Sequence, residues 1–223
     1  MVLVEICTDN LPDTLEAIRL GADRIELCSQ LCLDGLTPAL DLFNRVMEIE
    51  GVRIFPMIRS RPGDFVYSDI EKTIMIDQGC FFAKRGAQGL VFGALGDNGK
   101  QIDLEFVKKF HSAVHAINPH IELTFHKAID VVAVASPCSL IDAVEQLEPY
   151  CERVLTSGGA FSAEIGANMI KLLVMRGRIP RPLAAGKIRV ENVLDLIART
   201  GVEEVHSRCP EICRVLGKDE RQV

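Results

Sequence analysis

Residues 3–28 read LVEICTDNLPDTLEAIRLGADRIELC and contain the pattern on which the fold depends. An apolar run, Leu3–Cys7, precedes a helical pattern that stops at Gly21, and a second apolar run, Arg24–Cys28, closely repeats the first. A glycine just past the last periodic residue is a common helix C-cap. The stretch therefore predicts a strand, a helix and a second strand parallel to the first.

Similar runs recur along the whole chain, each followed by a helical pattern. They are Leu3–Cys7, Arg24–Cys28, Arg53–Arg59, Gly89–Leu95, Ile121–His126, Arg153–Ser157, Arg181–Ala185 and Glu203–Ser207. The predicted helix starts are Asp13, Pro38, Ser68, Asp103, Ser136–Pro137, Ser162 and Val190–Glu191. Eight strand–helix units without a strand-only half predict an α/β fold, a single (β/α)8 TIM barrel, with residues 1–223 as one domain. The alternative is an open doubly wound sheet, but the first turn has no glycine and so lacks a dinucleotide fingerprint.

The composition excludes several classes of function. The 223 residues are 48% hydrophobic and carry 25 Lys+Arg against 31 Asp+Glu, a net charge of -6. An acidic chain of this kind has no overall field for nucleic acid or an anionic membrane. No apolar stretch approaches the roughly 18 residues that a membrane span needs. The N-terminus has no basic region and does not resemble a signal peptide, so we expect a cytoplasmic protein whose 8 cysteines are free thiols.

Acidic residues interrupt the apolar strands. Side chains alternate along a strand, so Glu5 shares a face with Cys7, and Glu26 shares one with Cys28. An acid cannot face the apolar helix layer cheaply, which predicts that these acids point into the barrel. The same parity points Glu122 and His126 inward. Glu5, Glu26 and Glu122 are then either a structural ion network or acid/base groups in a cleft.

In such a barrel the chemistry lies at the C-terminal ends of the strands. Arg59 ends the third predicted strand and His126 ends the fifth. Both are candidates for catalysis, although His126 can also be a hydrogen-bonded core histidine and Arg59 can simply brace a loop.

Two glycine-bearing turns follow the sixth and seventh strands. The first contains Gly158 and Gly159, and the second contains Gly186, Lys187 and Arg189. Glycine lets backbone N–H groups approach an anion, and a helix start adds positive potential. We therefore predict that these turns bind an anion, with the alternative that Lys187 and Arg189 are merely solvated.

The sequence resembles the CutC family of copper homeostasis proteins. The matching pieces are VEIC (4–7), GADRIELC (21–28), GLTPAL (35–40), MIRSRPGDFVYSD (57–69), GLVFGAL (89–95), TFHKAID (124–130), RVLTSGG (153–159) and EVHS (204–207). The resemblance implies a compact TIM barrel, commonly a homodimer, that binds copper(I). Thiolates are favoured ligands of copper(I), so under this resemblance Cys7 and Cys28 are the metal ligands. Their alternative is the common role of small buried hydrophobes.

Two classes of function follow. The first is a cytosolic copper(I)-binding protein with Cys7 and Cys28 as ligands. The second is an enzyme for a small anionic or phosphorylated substrate. In it Glu26, Arg59 and His126 carry out the chemistry, while Gly158, Gly159, Gly186 and Arg189 hold the anion. A metal carrier needs little beyond soft ligands, whereas the inward carboxylates, Arg and His suit an enzyme. The adjacent Phe81 and Phe82 cannot both face the core, which fits the dimer that the resemblance implies.

Overall fold

The computed structural model of the chain describes residues 2–133, 137–177 and 180–222. Eight parallel strands close into a barrel in chain order, which confirms the predicted TIM barrel. The strands are β1 Leu3–Thr8, β2 Arg24–Leu27, β3 Arg53–Ile58, β4 Gly89–Phe92, β5 Glu122–Phe125, β6 Arg153–Thr156, β7 Arg181–Ala184 and β8 Glu204–Ser207. The helices are α1 Leu11–Arg19, α2 Leu40–Met47, α3 Asp69–Lys84, α4 Leu104–His115, α5 Ala128–Ala133, α6 Pro137–Leu147, α7 Ala167–Arg176, α8 Val193–Thr200 and α9 Ile212–Val215.

Side-chain caps decide where several helices begin. Ser68 and Glu71 form the predicted capping box of α3, and the Asp103 side chain accepts a hydrogen bond from the Phe106 N–H at the start of α4. Helix α1 starts two residues before the predicted Asp13, because the Asn10 side chain accepts from the Asp13 N–H. Pro137 opens α6 as predicted, whereas Ser136 lies outside the described residues.

Two predicted helix starts after the glycine turns are wrong. Helix α7 begins at Ala167 rather than near Ser162, because a separate turn, closed by the Gly166 N–H on the Ser162 carbonyl, precedes it. Helix α8 begins at Val193 rather than at Val190. The Asn192 side chain closes the preceding turn by accepting from the Arg189 N–H and donating to the Lys187 carbonyl. Both helix starts therefore lie farther from the glycine turns than the sequence suggested.

The apolar core lies between the sheet and the surrounding helices. The outward residues of the strands pack there against the inner faces of the helices, as Phe92 does against Phe106 and Phe110 of α4. A smaller apolar cluster fills part of the barrel interior and contains Cys28 and Phe55. This division confirms the two faces that the strand alternation predicts.

Charged residues close the N-terminal end of the barrel. Arg24 and Arg153, the first residues of β2 and β6, are buried, and both donate to Glu204, the first residue of β8, at 2.8 and 3.1 Å. Arg24 also pairs with Glu5, and Arg153 pairs with Glu122 at 2.5 Å. Buried charges need such partners. Glu5, Glu122 and Glu204 therefore belong to an ion network that runs across the barrel floor.

The position of Glu122 agrees with the first of its two predicted alternatives, a structural ion network. It points inward as predicted, but it is the first residue of β5 and pairs with Arg53 and Arg153, which also begin their strands. Glu122 therefore lies at the end of the barrel opposite the mouth. Its role is structural.

Phe81 and Phe82 of α3 differ in burial, although their rings contact each other with centroids 5.6 Å apart. Phe82 is 3% exposed and packs on Phe43, while Phe81 is 39% exposed and lies beneath the Arg85 guanidinium. One ring therefore faces the core and the other does not, as the sequence predicted. The homodimer itself stays a prediction.

Because of the ion network, we expect the loss of a buried carboxylate to lower the free energy of unfolding far more than the loss of a surface carboxylate. Glu204→Gln leaves two buried arginines short of a counterion, so we expect it to lower the free energy of unfolding by about 3 kcal/mol or more. The matched control is Glu105→Gln, which breaks an exposed pair with Lys109 on α4 and should cost less than about 1 kcal/mol. Urea unfolding of both variants measures the difference, and equal losses would contradict a structural role for the network.

Candidate functional site

A cavity of about 900 Å³ opens at the C-terminal end of the barrel. Its wall includes Cys7, Glu26, Arg59, His126, Gly159, Gly186 and Arg189, all of them predicted site residues. Two further predicted residues, Cys28 and Gly158, do not line it. The volume is typical of a site for a small organic molecule.

Three groups that can ligate a metal meet at the base of this cavity. The Cys7 sulfur, a Glu26 carboxylate oxygen and a His206 ring nitrogen all lie within 4.8 Å of one another. They come from the adjacent strands β1, β2 and β8. No signal in the sequence joined His206 to Cys7. We call these three residues the Cys7 cluster.

Strand register explains why Glu26, rather than Cys28, accompanies Cys7. The β1–β2 pairing sets Cys7 level with Glu26, so Cys28 lies two residues farther along the chain, just past the end of β2. The two cysteines named as metal ligands are therefore offset by two residues, and their joint role as ligands stays a prediction. Cys28 packs against Phe55 and Met57 inside the barrel and donates its thiol hydrogen to Glu26 Oε1 at 3.4 Å.

The two buried acids near Cys7, Glu5 and Glu26, have pKa values that are shifted in opposite directions. Burial alone would raise the pKa of Glu5, but the Arg24 guanidinium and His206 lower it to about 2. Burial raises the pKa of Glu26, which has no arginine partner among the described residues. Burial and the nearby Glu26 also raise the pKa of the Cys28 thiol well above its ordinary value.

His206 links the cluster to the ion network on the barrel floor. Its Nδ1 lies 2.7 Å from Glu5 Oε1. Burial alone would lower the pKa of His206, but Glu26, Cys7 and Glu5 raise it well above its ordinary value. The ring is thus held in a fixed orientation against Cys7 by a carboxylate that is itself anchored by Arg24.

Arg59 connects the loops around the mouth. One of its terminal nitrogens donates to the carbonyl oxygens of Leu33 and Gly35 at 3.1 and 3.2 Å, and the other donates to that of Gly63 at 2.9 Å. The guanidinium also stacks on the Phe65 ring. These contacts agree with the loop-bracing alternative, and Arg59 nevertheless lines the cavity.

His126 is buried beside Arg59 and packs on the same Phe65 ring, with a centroid separation of 4.9 Å. Its Nδ1 accepts a hydrogen bond from the Ala128 N–H at 3.2 Å. Burial, and then the Arg59 charge, lower the pKa of His126 to about 3, so the ring is neutral at pH 7. Gly93 makes room for it, because a Cβ there would lie 2.5 Å from the ring.

An internal carboxylate occupies much of the first glycine turn. Asp130, from α5, accepts from the Ser157 N–H at 2.9 Å, the Gly159 N–H at 2.9 Å and the Thr156 hydroxyl at 2.5 Å. The Gly158 N–H donates to Thr156 Oγ1 at 2.9 Å. The turn is thus built to receive an anion, as the glycines suggest, but it already holds one from the protein. Nothing in the sequence of α5 pointed to this contact.

The second glycine turn keeps its backbone donors open. Among the hydrogen bonds of the described residues, none uses the N–H groups of Gly186, Lys187 or Ile188. The Lys187 ammonium lies 3.3 Å from the centre of the Phe161 ring, and one Arg189 terminal nitrogen donates to the Ile188 carbonyl at 2.7 Å. Anion binding at this turn stays a prediction.

Comparisons with known proteins agree on one family. A CutC family profile matches residues 2–210. A CutC family protein of Aliivibrio fischeri is 39% identical over 209 residues, covering 92% of this chain and 81% of the relative. One of Glaesserella parasuis is 39% identical over 206 residues, covering 91% and 80%.

Solved structures give the same result for the fold. The crystal structure of a copper homeostasis protein CutC from Streptococcus agalactiae superposes with a TM-score of 0.84 at 28% identity, covering 94% of this chain and all of that one. A phosphoribosylanthranilate isomerase from Thermotoga maritima superposes with a TM-score of 0.56 at 18% identity, covering 93% and 87%. The second likeness concerns the barrel fold alone.

Removing the internal anion should create an anion-binding turn. In Asp130→Ala the Ser157 and Gly159 N–H groups and two hydroxyls lose their acceptor, so we expect the variant to lose about 2 kcal/mol or more of stability. Formate or acetate should then raise the melting temperature of the variant more than that of the wild type, because only the variant has a vacant turn. Chloride at the same ionic strength is the control. Absence of rescue would contradict an anion-receiving turn.

The lowered pKa of His126 predicts a stability loss in acid. Between the ordinary value of 6.5 and about 3, an unfolded chain protonates this histidine while the folded chain does not. The unfolded state then binds more protons, so the free energy of unfolding falls as the pH falls through this range. His126→Gln should flatten that dependence in urea unfolding, whereas His120→Gln, at an exposed position, should not. Parallel curves for wild type and His126→Gln would refute the assignment.

Proposed function

Because the chain belongs to the CutC family, we propose that it acts in copper homeostasis by binding copper(I) at the base of the barrel mouth. The observation that carries the proposal is the Cys7 cluster, in which a sulfur, an imidazole nitrogen and a carboxylate oxygen converge within 4.8 Å. Copper in this role is cargo or substrate rather than a resident cofactor.

The donor chemistry of the site suits copper(I). Thiolate and thioether sulfur are the soft ligands that copper(I) prefers, and imidazole is also suitable. Cys7 and Met57 both line the cavity, and His206 faces Cys7. Glu26 is a harder donor, so its suggested part is to accept the proton that a thiol releases when metal binds.

The proposed copper ligands are ranked differently from the pair, Cys7 and Cys28, that the sequence analysis named. Cys7 remains the central thiolate ligand. Cys28 can join it only after losing a proton that burial and Glu26 hold on the sulfur, so we assign it a secondary part. His206 is the second ligand, since the Glu5 contact already orients its ring. Because its pKa is raised, it too must release a proton when the metal binds.

The cellular location and the oligomeric state of the protein are also part of the proposal. Seven cysteines are free thiols among the described residues, which suits the reducing cytosol. No helix within the described ranges is long and apolar enough to cross a membrane. We retain the homodimer on the strength of the family resemblance.

A second candidate function is catalysis on a small anionic molecule. The cavity favours it, since about 900 Å³ far exceeds the space that one copper ion needs. Glu26, Arg59 and His126 line that cavity and are the residues we propose for the chemistry, with Gly186 and Arg189 near the entrance. Gly158 and Gly159 would contribute only through the turn that Asp130 occupies.

Copper(I) titration of the reduced protein tests the first proposal. In competition with a chromophoric copper(I) chelator, Cys7→Ser should weaken binding by at least about 100-fold, because it removes the central ligand. Cys28→Ser should have a smaller effect, and Cys32→Ser, at an exposed position outside the cluster, should have none. Affinity should fall on acidification, since the ligands must lose protons. Wild-type affinity in Cys7→Ser would overturn the ligand assignment.

A further inference from the structure

Arg59 is a buried arginine without a counterion. Of the buried arginines, Arg24 and Arg153 each pair with two carboxylates. Arg59 is only 4% exposed and forms no ion pair with any described residue. Its terminal nitrogens donate to neutral carbonyl oxygens, and its Nε–H has no hydrogen-bond partner within the described ranges. Buried charges in proteins are normally paired, so this guanidinium lacks an anion.

His126 supplies a second donor without a partner. Because its Nδ1 accepts from the Ala128 N–H, the neutral ring carries its proton on Nε2. That Nε2–H is buried and bonds no other group among the described residues. An unmade buried hydrogen bond costs about 1–3 kcal/mol, which a ligand acceptor would recover.

The two donors belong to the same wall of the cavity. Arg59 and His126 pack on the Phe65 ring, at 4.9 Å from guanidinium carbon to ring centre and 4.9 Å between ring centres. All three residues line the cavity. The one acid of the Cys7 cluster, Glu26, belongs to β2, and the other two members belong to β1 and β8.

We propose that the cavity binds a small carboxylic acid whose carboxylate accepts hydrogen bonds from Arg59 Nε–H and His126 Nε2–H. A planar carboxylate has two oxygens for two donors and supplies the charge that Arg59 lacks. The volume of about 900 Å³ leaves room for an organic body attached to it.

The entrance of the cavity favours the same class of ligand. Lys127, Lys187, Arg189 and Arg208 line the cavity in addition to Arg59. They outnumber the acids of the lining, which are Glu26, Asp34 and Asp130, in a chain whose net charge is -6. Cations gathered at one opening raise the local concentration of anions and speed their entry. The inference deepens the second candidate function, because turnover needs such a site, but it concerns binding alone and does not depend on copper.

The direct test observes the His126 ring in the reduced, metal-free wild type. Acetate, malonate, inorganic phosphate and neutral acetamide are titrated at constant ionic strength, with the Nε2–H proton and ¹⁵N resonances recorded by NMR. Acetate and malonate should shift both resonances in a saturable way, and acetamide should not. No shift with either carboxylate at millimolar concentrations overturns the proposal. A response to phosphate alone overturns the carboxylate class, and shifts confined to Gly186 and Lys187 overturn the location.

A pair of variants separates the ligand contact from folding. His126→Asn keeps an acceptor near the Nδ1 position for the Ala128 N–H but removes the Nε2 donor, so malonate binding measured by calorimetry should weaken about tenfold or more. His126→Gln returns an amide donor near the Nε2 position and should recover part of the loss. Malonate affinity in His126→Asn equal to that of the wild type overturns the proposal.

Two controls make the outcome specific. His120→Asn carries the same substitution at an exposed position outside the cavity and should bind malonate like the wild type. Copper(I) affinity of His126→Asn should be unchanged, because His126 is not part of the Cys7 cluster. Loss of malonate binding with copper binding intact supports the proposal. Loss of copper binding in Cys7→Ser leaves it unaffected, so the two proposals can fail separately.

Discussion

An arginine inside the barrel needs a carboxylate, because a buried charge without a partner costs several kcal/mol. Glu204 lies between Arg24 and Arg153 and meets that need for both. Arg24 also holds Glu5, and Glu5 in turn holds the His206 ring. A chain of charge pairs therefore runs from the barrel floor to the mouth, so that the orientation of His206 against Cys7 depends on pairing that begins at the opposite end of the strands.

The requirement that a buried charge has a partner also applies to the buried charges outside the arginine–carboxylate pairs. Asp130 is an acid without an arginine, and the structure surrounds it with backbone and hydroxyl donors from the β6 turn. Among the described residues Arg59 Nε, Glu26 Oε2, Arg24 Nη1 and Arg153 Nη1 are buried atoms without a hydrogen-bond partner. Arg24 and Arg153 nevertheless have carboxylate ion pairs, whereas Arg59 and Glu26 form no ion pair within the described ranges. Both line the cavity. A fold that compensates charge carefully elsewhere departs from that rule at its mouth, which is where functional sites commonly sacrifice stability.

The sequence predicts the architecture well, because its signals are local. Each of the eight strands starts at the predicted residue or one residue later, and the inward face follows from period-2 alternation. Register depends on how neighbouring strands shift on closing the barrel, so the level pairing of Cys7 with Glu26 was not predictable from the two repeated motifs. Asp130 reaches a turn 26 residues away in sequence, and no local pattern marks such a contact. The charged first residues of β2, β5, β6 and β8 were a readable signal for the floor network, visible only once the strand starts are aligned.

The two proposed binding sites use different walls of one cavity. Sulfur, imidazole and carboxylate groups of the Cys7 cluster come from β8, β1 and β2, whereas Arg59 and His126 follow β3 and β5. Gly93, after β4, lies between them and leaves space for the His126 ring, since a Cβ would come within 2.5 Å of it. A soft cation and a carboxylate therefore do not compete for the same side chains. Because opposite charges attract more strongly where water is excluded, a carboxylate on the Arg59 wall would stabilise a metal ion bound at Cys7 rather than displace it.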